Sequence, residues 1–265
     1  VAGEVLITVE PVIFRVGPFT LRWSSLLLLA GVAAGLWITK RQTRRLGMGV
    51  RSVLELASWA LLAGFIGARL FHLIEYWEYY LTHAAEAPGL AVGGLNAWGG
   101  IVLGSLAVWI VCRKSGLRFP PVADAAAPGL ALGEAIGRLG TFLNGDGLGR
   151  PSDLPWAIHY SSKDALTPDY GVARHPAQLY QALADLSAFG LLWLLRGANL
   201  PPGARFYLWL GLYGLSRSAI GLVRLDPPFL FGLQQGQLVG IGAMALSAFA
   251  IIRTALRRSA RIGAS

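Results

Sequence analysis

Seven stretches of mainly apolar residues follow one another along the chain, at 21–39, 53–74, 98–111, 122–142, 176–195, 204–223 and 237–252. Each approaches the ~20 residues that a helix needs to cross the hydrocarbon core of a bilayer. The third is short and is read as starting within the glycine-rich stretch 93–100. Two segments between the stretches are too long for plain connectors. Segment 76–95 carries Tyr76, Trp77, Tyr79 and Tyr80, which read as an interfacial aromatic belt. Segment 146–174 holds Pro151, Pro155, Trp156 and a possible strand at 157–160. Its length exceeds that of ordinary structureless loops, so it reads as a small cap over a site.

Charge orders these stretches. The loops 40–52, 112–121 and 196–203 and the tail from 253 carry Lys40, Arg41, Arg44, Arg45, Arg51, Arg113, Lys114, Arg118, Arg196, Arg253, Arg257, Arg258 and Arg261, with no acid among them. The other side carries Glu4, Glu10, Glu75, Glu78, Glu86, Asp153, Asp164, Asp169 and Asp226. Basic loops stay in the cytoplasm, which puts the N-terminus in the periplasm and the C-terminus inside. The expectation is an all-α polytopic membrane protein with seven transmembrane helices. It is a single transmembrane domain over 1–265, with a small periplasmic cap at 146–174, in the bacterial plasma (inner) membrane.

Composition agrees. Of 265 residues, 54% are hydrophobic and 14% charged, against about 25% charged in soluble domains. The formal net charge of +9 would suit nucleic acid, but the basic residues cluster at the ends of apolar stretches. The expected partner is therefore the lipid bilayer, with no nucleic acid. The one cysteine, Cys112, excludes an internal disulfide and a multi-cysteine metal site, and reads as a buried small hydrophobe. The first apolar stretch lacks a basic n-region and a small-residue cleavage site and is read as retained.

The densest chemistry lies at 137–150, where Arg138, Asn144, Asp146 and Arg150 are interleaved with five glycines directly after an apolar run. Ionisable groups at membrane depth are costly and face a cavity or a partner. Glu134 and Arg138 share a helix face and can pair. His175 and Gln178, with Tyr180, open the fifth stretch, and Asp185 lies deeper. Arg217 and Arg224, seven apart, share one stripe. Together Arg69, Arg138, Arg150, Arg174, Arg217 and Arg224 are expected near one membrane face with few acids among them. Such a cluster calls for an anion, and a phospholipid phosphate is the nearest candidate. There is no H-E-x-x-H, no G-x-S-x-G elbow, no P-loop and no dinucleotide fingerprint. Chemistry at this site would rest on electrostatic stabilisation of a leaving phosphate, with at most one general base.

At these residues the chain resembles the bacterial prolipoprotein diacylglyceryl transferase family. The likeness runs from Gly17-Pro18 and Arg22-Trp23 to Gly236-Gln237-Leu238. Its most specific parts are the run from Gly137-Arg138 through Asn144-Gly145 to Gly149-Arg150, followed by Pro155-Trp156. Arg174-His175-Pro176 with Gln178-Leu179-Tyr180 is the second, and Tyr213-Gly214 with Arg217, Arg224 and Asp226 the third. The resemblance implies transfer of the diacylglyceryl group of phosphatidylglycerol to the cysteine thiol of a lipobox-containing prolipoprotein, with release of glycerol phosphate. It implies no metal and no organic cofactor.

On that reading Arg138 and Arg217 hold the phosphate, Arg224 and Arg150 assist, and Asn144, Gly140, Gly145 and Gly149 shape the pocket. Gln178, Tyr180 and Arg69 join the substrate-binding residues. Asp146 or His175 eases deprotonation of the thiol. The chain departs from the family pattern at Ser24 (commonly Tyr), Trp98 (His), Thr141 (Asn), Asp146 (Glu), and at Gln181 and Gly221, where the family has acids. The alternatives are a non-catalytic lipid-binding subunit of a membrane complex, and a transporter, for which the chain shows no internal repeat.

Overall fold

A computed structural model describes residues 5–17, 19–87, 94 and 96–262. The chain is mostly helical. Its helices are α1 (Trp23–Thr43), α2 (Val50–Glu75), α3 (Trp77–Thr82), α4 (Ala97–Lys114), α5 (Phe119–Asn144), α6 (Ala177–Leu194), α7 (Ala204–Gly221) and α8 (Gln235–Ile262). All but the short α3 fall on the seven apolar stretches. By length and composition, Trp23–Leu46, Val50–Glu75 and Gln235–Thr254 can each cross a membrane. The remaining long helices are only 18 residues long (α4, α6, α7) or carry several ionisable groups, as α5 does with Asp124, Glu134 and Arg138. Leu28, Leu29, Leu61, Leu62, Leu246 and Phe249 are all more than half exposed. Apolar flanks of that extent suit lipid rather than water.

Short strands accompany the helices, so the chain is not purely α. They are β1 (Val5–Ile7), β2 (Val12–Val16), β3 (Phe19–Arg22), β4 (Ile158–Tyr160), β5 (Pro228–Leu230) and β6 (Leu233–Gln234). They form three two-stranded ladders: β1 with β4 in parallel, and β2 with β3 and β5 with β6 antiparallel. Only β4 falls where the sequence suggests a strand. The parallel pair sets Val5 opposite Ile158 and Ile7 opposite Tyr160. The segment between α5 and α6 is thus built together with the N-terminal strand. Tyr160 anchors it, buried and donating to the Phe142 carbonyl at 2.5 Å.

The chain forms two compact units, one of Val1–Thr39 with Ala123–Ser265, the other of Lys40–Val122. In the second, α2 and α4 meet through small residues. A Cβ on Gly67 would meet the Leu103 Cβ at 2.7 Å, and one on Gly104 the Ala60 carbonyl oxygen at 3.0 Å. Glycines let helix backbones approach this closely. Asn96 caps α4, its Oδ1 accepting from the Trp98 and Gly99 N–H groups at 2.9 and 3.3 Å. Cys112 is fully buried among Met48, Leu56 and Val122, as a small hydrophobe would be. Tyr80 also turns inward and is buried, while Tyr76 and Trp77 stay exposed as belt residues would.

In the first unit α1 and α5 touch in the same way, a Cβ on Gly31 meeting the Gly133 carbonyl oxygen at 2.6 Å. Ala127 and Ala131 of α5 pack with Ala188 and Leu192 of α6 and with Trp209 and Leu212 of α7. Asp124 fixes where α7 begins. Its two buried carboxylate oxygens accept from the Gly203 N–H at 2.6 Å and the Phe206 N–H at 2.9 Å. A carboxylate facing a helix N-terminus satisfies orphan donors and complements the dipole.

Candidate functional site

The polar residues of the first unit gather where α5 ends, α6 begins and α7 ends. Helix α5 stops at Asn144 because Gly145 turns left-handed, at φ 79°. The Gly145 and Asp146 N–H groups both return to the Thr141 carbonyl, at 3.0 and 3.3 Å. Asn144 is buried. Its Oδ1 accepts from Arg22 Nη1 at 2.9 Å, and its Nδ2 donates to Asp146 Oδ2 at 2.6 Å. Gln178 Nε2, at the start of α6, donates to the Asp146 backbone carbonyl at 2.6 Å. Burial pushes the Asp146 carboxyl above its ordinary pKa, against the Asn144 bond and the charges of Arg138, Arg224 and Arg22.

The arginines are more closely accompanied by acids than the sequence suggests. Arg138 pairs with Glu134 one turn earlier, at 2.8 Å. Arg224 holds Asp226 with two bonds, 2.7 Å from Nε and 3.0 Å from Nη2, and reaches the Gly147 carbonyl at 3.2 Å. At Asp226 burial works to raise the pKa, but the Arg224 bond and the charges of Arg224, Arg217 and Arg138 outweigh it and hold the carboxyl below the ordinary range. Arg174 pairs with Asp169 at 2.6 Å and bridges Pro151 and Ile158. Its position is therefore inside the bridges that tie Pro151 and Ile158 together between α5 and α6. The expected cluster with few acids is corrected to a mixed one, because carboxylates spaced irregularly in sequence fold back onto the guanidinium groups.

Arg217 differs from its neighbours. Its nearest carboxylate oxygen, on Asp226, is 3.9 Å from Nη2, beyond hydrogen-bond distance. Its Nε and Nη1 are buried without a hydrogen-bond partner among the described residues. Gly236 makes room for it, since a Cβ there would meet Nε at 2.7 Å. A buried guanidinium with unpaired donors costs free energy unless a ligand supplies the acceptors.

The remaining predicted residues are placed as follows. His175 Nδ1 lies 3.3 Å from the Tyr180 hydroxyl, which accepts from Trp156 Nε1 at 2.8 Å. The hydroxyl's own proton can then go to Nδ1 of a neutral imidazole. Gly149 allows the strand-like crossing with Arg224 just beyond α7: a Cβ there would meet His175 Cβ at 2.5 Å and the Val223 carbonyl at 2.7 Å. Gly140 packs α5 against Ser24 and Leu27 of α1, and Gly145 packs against Ala165. Arg150 is exposed. Its backbone is held by the Val223 carbonyl and the His175 N–H, and its guanidinium has no partner among the described residues. Arg69 belongs to the other unit, where it binds the Ala87 and Gly94 carbonyls at 2.9 and 3.1 Å and lies over the Tyr80 ring.

Two features escape sequence reasoning. Arg22, at the β3–α1 junction, reaches Asn144 and also the Asp164 carbonyl at 3.0 Å. Its only sequence signal was the Arg22-Trp23 pair. Gln181 bonds Asp185 and Ser216, both at 3.0 Å, in a buried polar group that ties α6 to α7. The four-residue spacing of Gln181 and Asp185 on one helix face could have revealed half of it.

Helices of membrane length, apolar flanks and a charged cluster buried at the helix ends define an integral membrane protein with an internal polar site. Residues 11–253 match the model of the prolipoprotein diacylglyceryl transferase family, and the chain belongs to that family of enzymes. Among its relatives is a phosphatidylglycerol–prolipoprotein diacylglyceryl transferase from Streptomyces avermitilis, 32% identical over 255 residues, covering 94% of this chain and 74% of the relative. The enzyme of that name from Dehalococcoides mccartyi is 34% identical over 244 residues, covering 91% and 92%. One from Cutibacterium acnes is 35% identical over 250 residues, covering 90% and 82%.

Proposed function

We propose that this protein transfers the diacylglyceryl group of phosphatidylglycerol to the lipobox cysteine of a prolipoprotein, and that Arg217 receives the phosphate. The observation that carries the site assignment is the pair of buried, unpaired donors on Arg217, flanked by Arg138 and Arg224 in a chain of this family. In the reaction the cysteine thiol gives up its proton and the sulfur attacks the diacylglyceryl carbon. The C–S bond forms as the bond from that carbon to the phosphate oxygen breaks, and glycerol phosphate departs with the electron pair. Negative charge grows on the departing oxygen. A fixed guanidinium beside it stabilises the transition state more than the ground state.

Arg138 supports the same charge while sharing its guanidinium with Glu134. Arg224, locked by Asp226 and Gly147, holds the cap against the end of α7 and adds field rather than a free fork. Asp146, whose basicity is raised by burial, takes the thiol proton directly or through water, and His175 is the other group able to do so. Asn144 and Gln178 fix the Asp146 loop. Arg150, exposed on the cap, meets the incoming polar partner, and Arg69 holds the Ala87 and Gly94 carbonyls.

The seven long helices are read as seven spans of one transmembrane domain in the bacterial inner membrane, with the N-terminus and the 146–174 cap periplasmic and the C-terminus cytoplasmic. The charge distribution supports this orientation. The test is mass spectrometry of a lipobox peptide incubated with the protein and phosphatidylglycerol. A mass gain of one diacylglyceryl group, lost on Cys→Ala exchange in the peptide, is the expected result. An unmodified peptide contradicts the reading.

A further inference from the structure

A second cationic site lies wholly within the unit Lys40–Val122, at the end of α4. A cavity of about 450 Å³ is lined by Trp109, Arg113, Leu117, Arg118, Phe119 and Pro120. That volume is within the range of small-molecule sites. Two arginines stand among otherwise apolar and aromatic lining residues. The Arg113 guanidinium lies over the Trp109 ring, 5.2 Å from its centroid. Neither arginine pairs with a carboxylate among the described residues.

Arg113 is also not needed to finish the helix. The Ser115 N–H returns to the Val111 carbonyl at 2.9 Å and the Leu117 N–H to the Cys112 carbonyl at 2.8 Å. Gly116, at φ 69°, supplies the left-handed residue this closure requires. The turn is set by its own backbone, and both arginines are exposed beside it.

The apolar wall does not end at the cavity. Val102, Leu106 and Trp109 follow at i, i+4 and i+7 on α4 and are all exposed, so they share one face that runs along the helix to the cavity. An inorganic anion would use the guanidinium groups and none of this surface. A molecule with a phosphate at one end and hydrocarbon at the other would use both.

We propose that this cavity is a binding site for the phosphate head group of an anionic phospholipid, with an acyl chain along the Val102–Leu106–Trp109 face. Arg113 and Arg118 take the phosphate, and the site is separate from the one that contains Arg217. Basic pockets at the ends of membrane helices are suited to such head groups, with a gain of about 1 kcal/mol, or fivefold in affinity, per arginine near an anionic surface.

The test is native mass spectrometry of the delipidated protein titrated with dioleoyl phosphatidate, with dioleoyl phosphatidylcholine as the neutral comparison. Arg113→Gln with Arg118→Gln is expected to weaken phosphatidate binding roughly 30-fold at one site. The paired control Arg51→Gln with Lys114→Gln removes as much charge from residues that do not line the cavity and is expected to weaken binding clearly less. Arg217→Ala is expected to retain the component that depends on Arg113 and Arg118, so the two sites are read apart. If the double exchange does not fold, Arg118→Gln alone is expected to weaken binding roughly fivefold. Three results would overturn the proposal: unchanged binding in the arginine variants, equal loss in the control pair, or displacement of phosphatidate by excess inorganic phosphate, which would make it a free-anion site.

Discussion

Arg217 and Arg138 carry the same charge in different surroundings, and that difference predicts different behaviour. Arg138→Ala leaves Glu134 half-buried without its 2.8 Å partner, so it loses stability as well as rate. Arg217→Ala leaves Asp226 still bound by Arg224, and is the cleaner probe. Turnover should fall about 10²–10³-fold in Arg217→Ala, as for loss of one oxyanion donor. Arg217→Lys should recover little of it, because an ammonium does not reproduce the fork. Near-normal glycerol phosphate release from Arg217→Ala, in protein that melts as the wild type does, would remove Arg217 from the site.

Asp146 makes a prediction in pH. Burial raises its pKa, so the carboxylate is lost as pH falls through a value above the ~3.9 of an ordinary aspartate. If it accepts the thiol proton, activity falls on the acid side through that raised value, and Asp146→Asn removes this limb with a rate loss of about 10²–10⁴. A limb that keeps its position in the Asn variant would move the proton to His175. Arg138, Asn144, Asp146, Gln178 and Arg217 were legible in the sequence because an ionisable or amide group inside or beside an apolar stretch is costly there unless it serves a ligand or a polar partner. Arg22 was not, because it meets Asn144 across more than a hundred residues and no local spacing encodes that. The carboxylates that accompany Arg174 and Arg224 were underestimated for a different reason: they lie only five and two residues away, but outside any helix, so no helical period marks the pairing as the four-residue spacing of Glu134 and Arg138 does.

The helices themselves were readable, because a membrane-length apolar run specifies a helix through the need to satisfy every backbone group internally. The strands were not. Three residues such as Val5–Ile7 contain no period to recognise, and their pairing with Ile158–Tyr160 is a long-range event. The glycines on α2 and α4 were visible as composition but not as a contact. Their placement predicts a graded effect. A Cβ on Gly67 meets the Gly99 carbonyl and the Leu103 side chain, at 2.7 Å from its Cβ, whereas one on Gly64 comes no closer than 3.3 Å, to the Gly100 carbonyl. Gly67→Ala should destabilise the protein by about 1–3 kcal/mol through overpacking, and Gly64→Ala by clearly less. Thermal denaturation in one detergent compares them, and equal melting temperatures would refute the close α2–α4 approach.

For the whole molecule the charge asymmetry makes a topological prediction. Cysteines introduced at Ser52 and Ser161 should differ in intact cells, with an impermeant thiol reagent labelling position 161 and sparing position 52. Cys112 is fully buried and should stay silent. Labelling at 52 alone would invert the orientation. The central claim, that this chain turns phosphatidylglycerol over, is tested most directly by release of glycerol phosphate. Purified protein should release it from phosphatidylglycerol only when a lipobox peptide with a free thiol is present, in step with thioether formed. Bound phosphatidylglycerol with no peptide-dependent release would contradict the account and leave a protein that binds the lipid without consuming it.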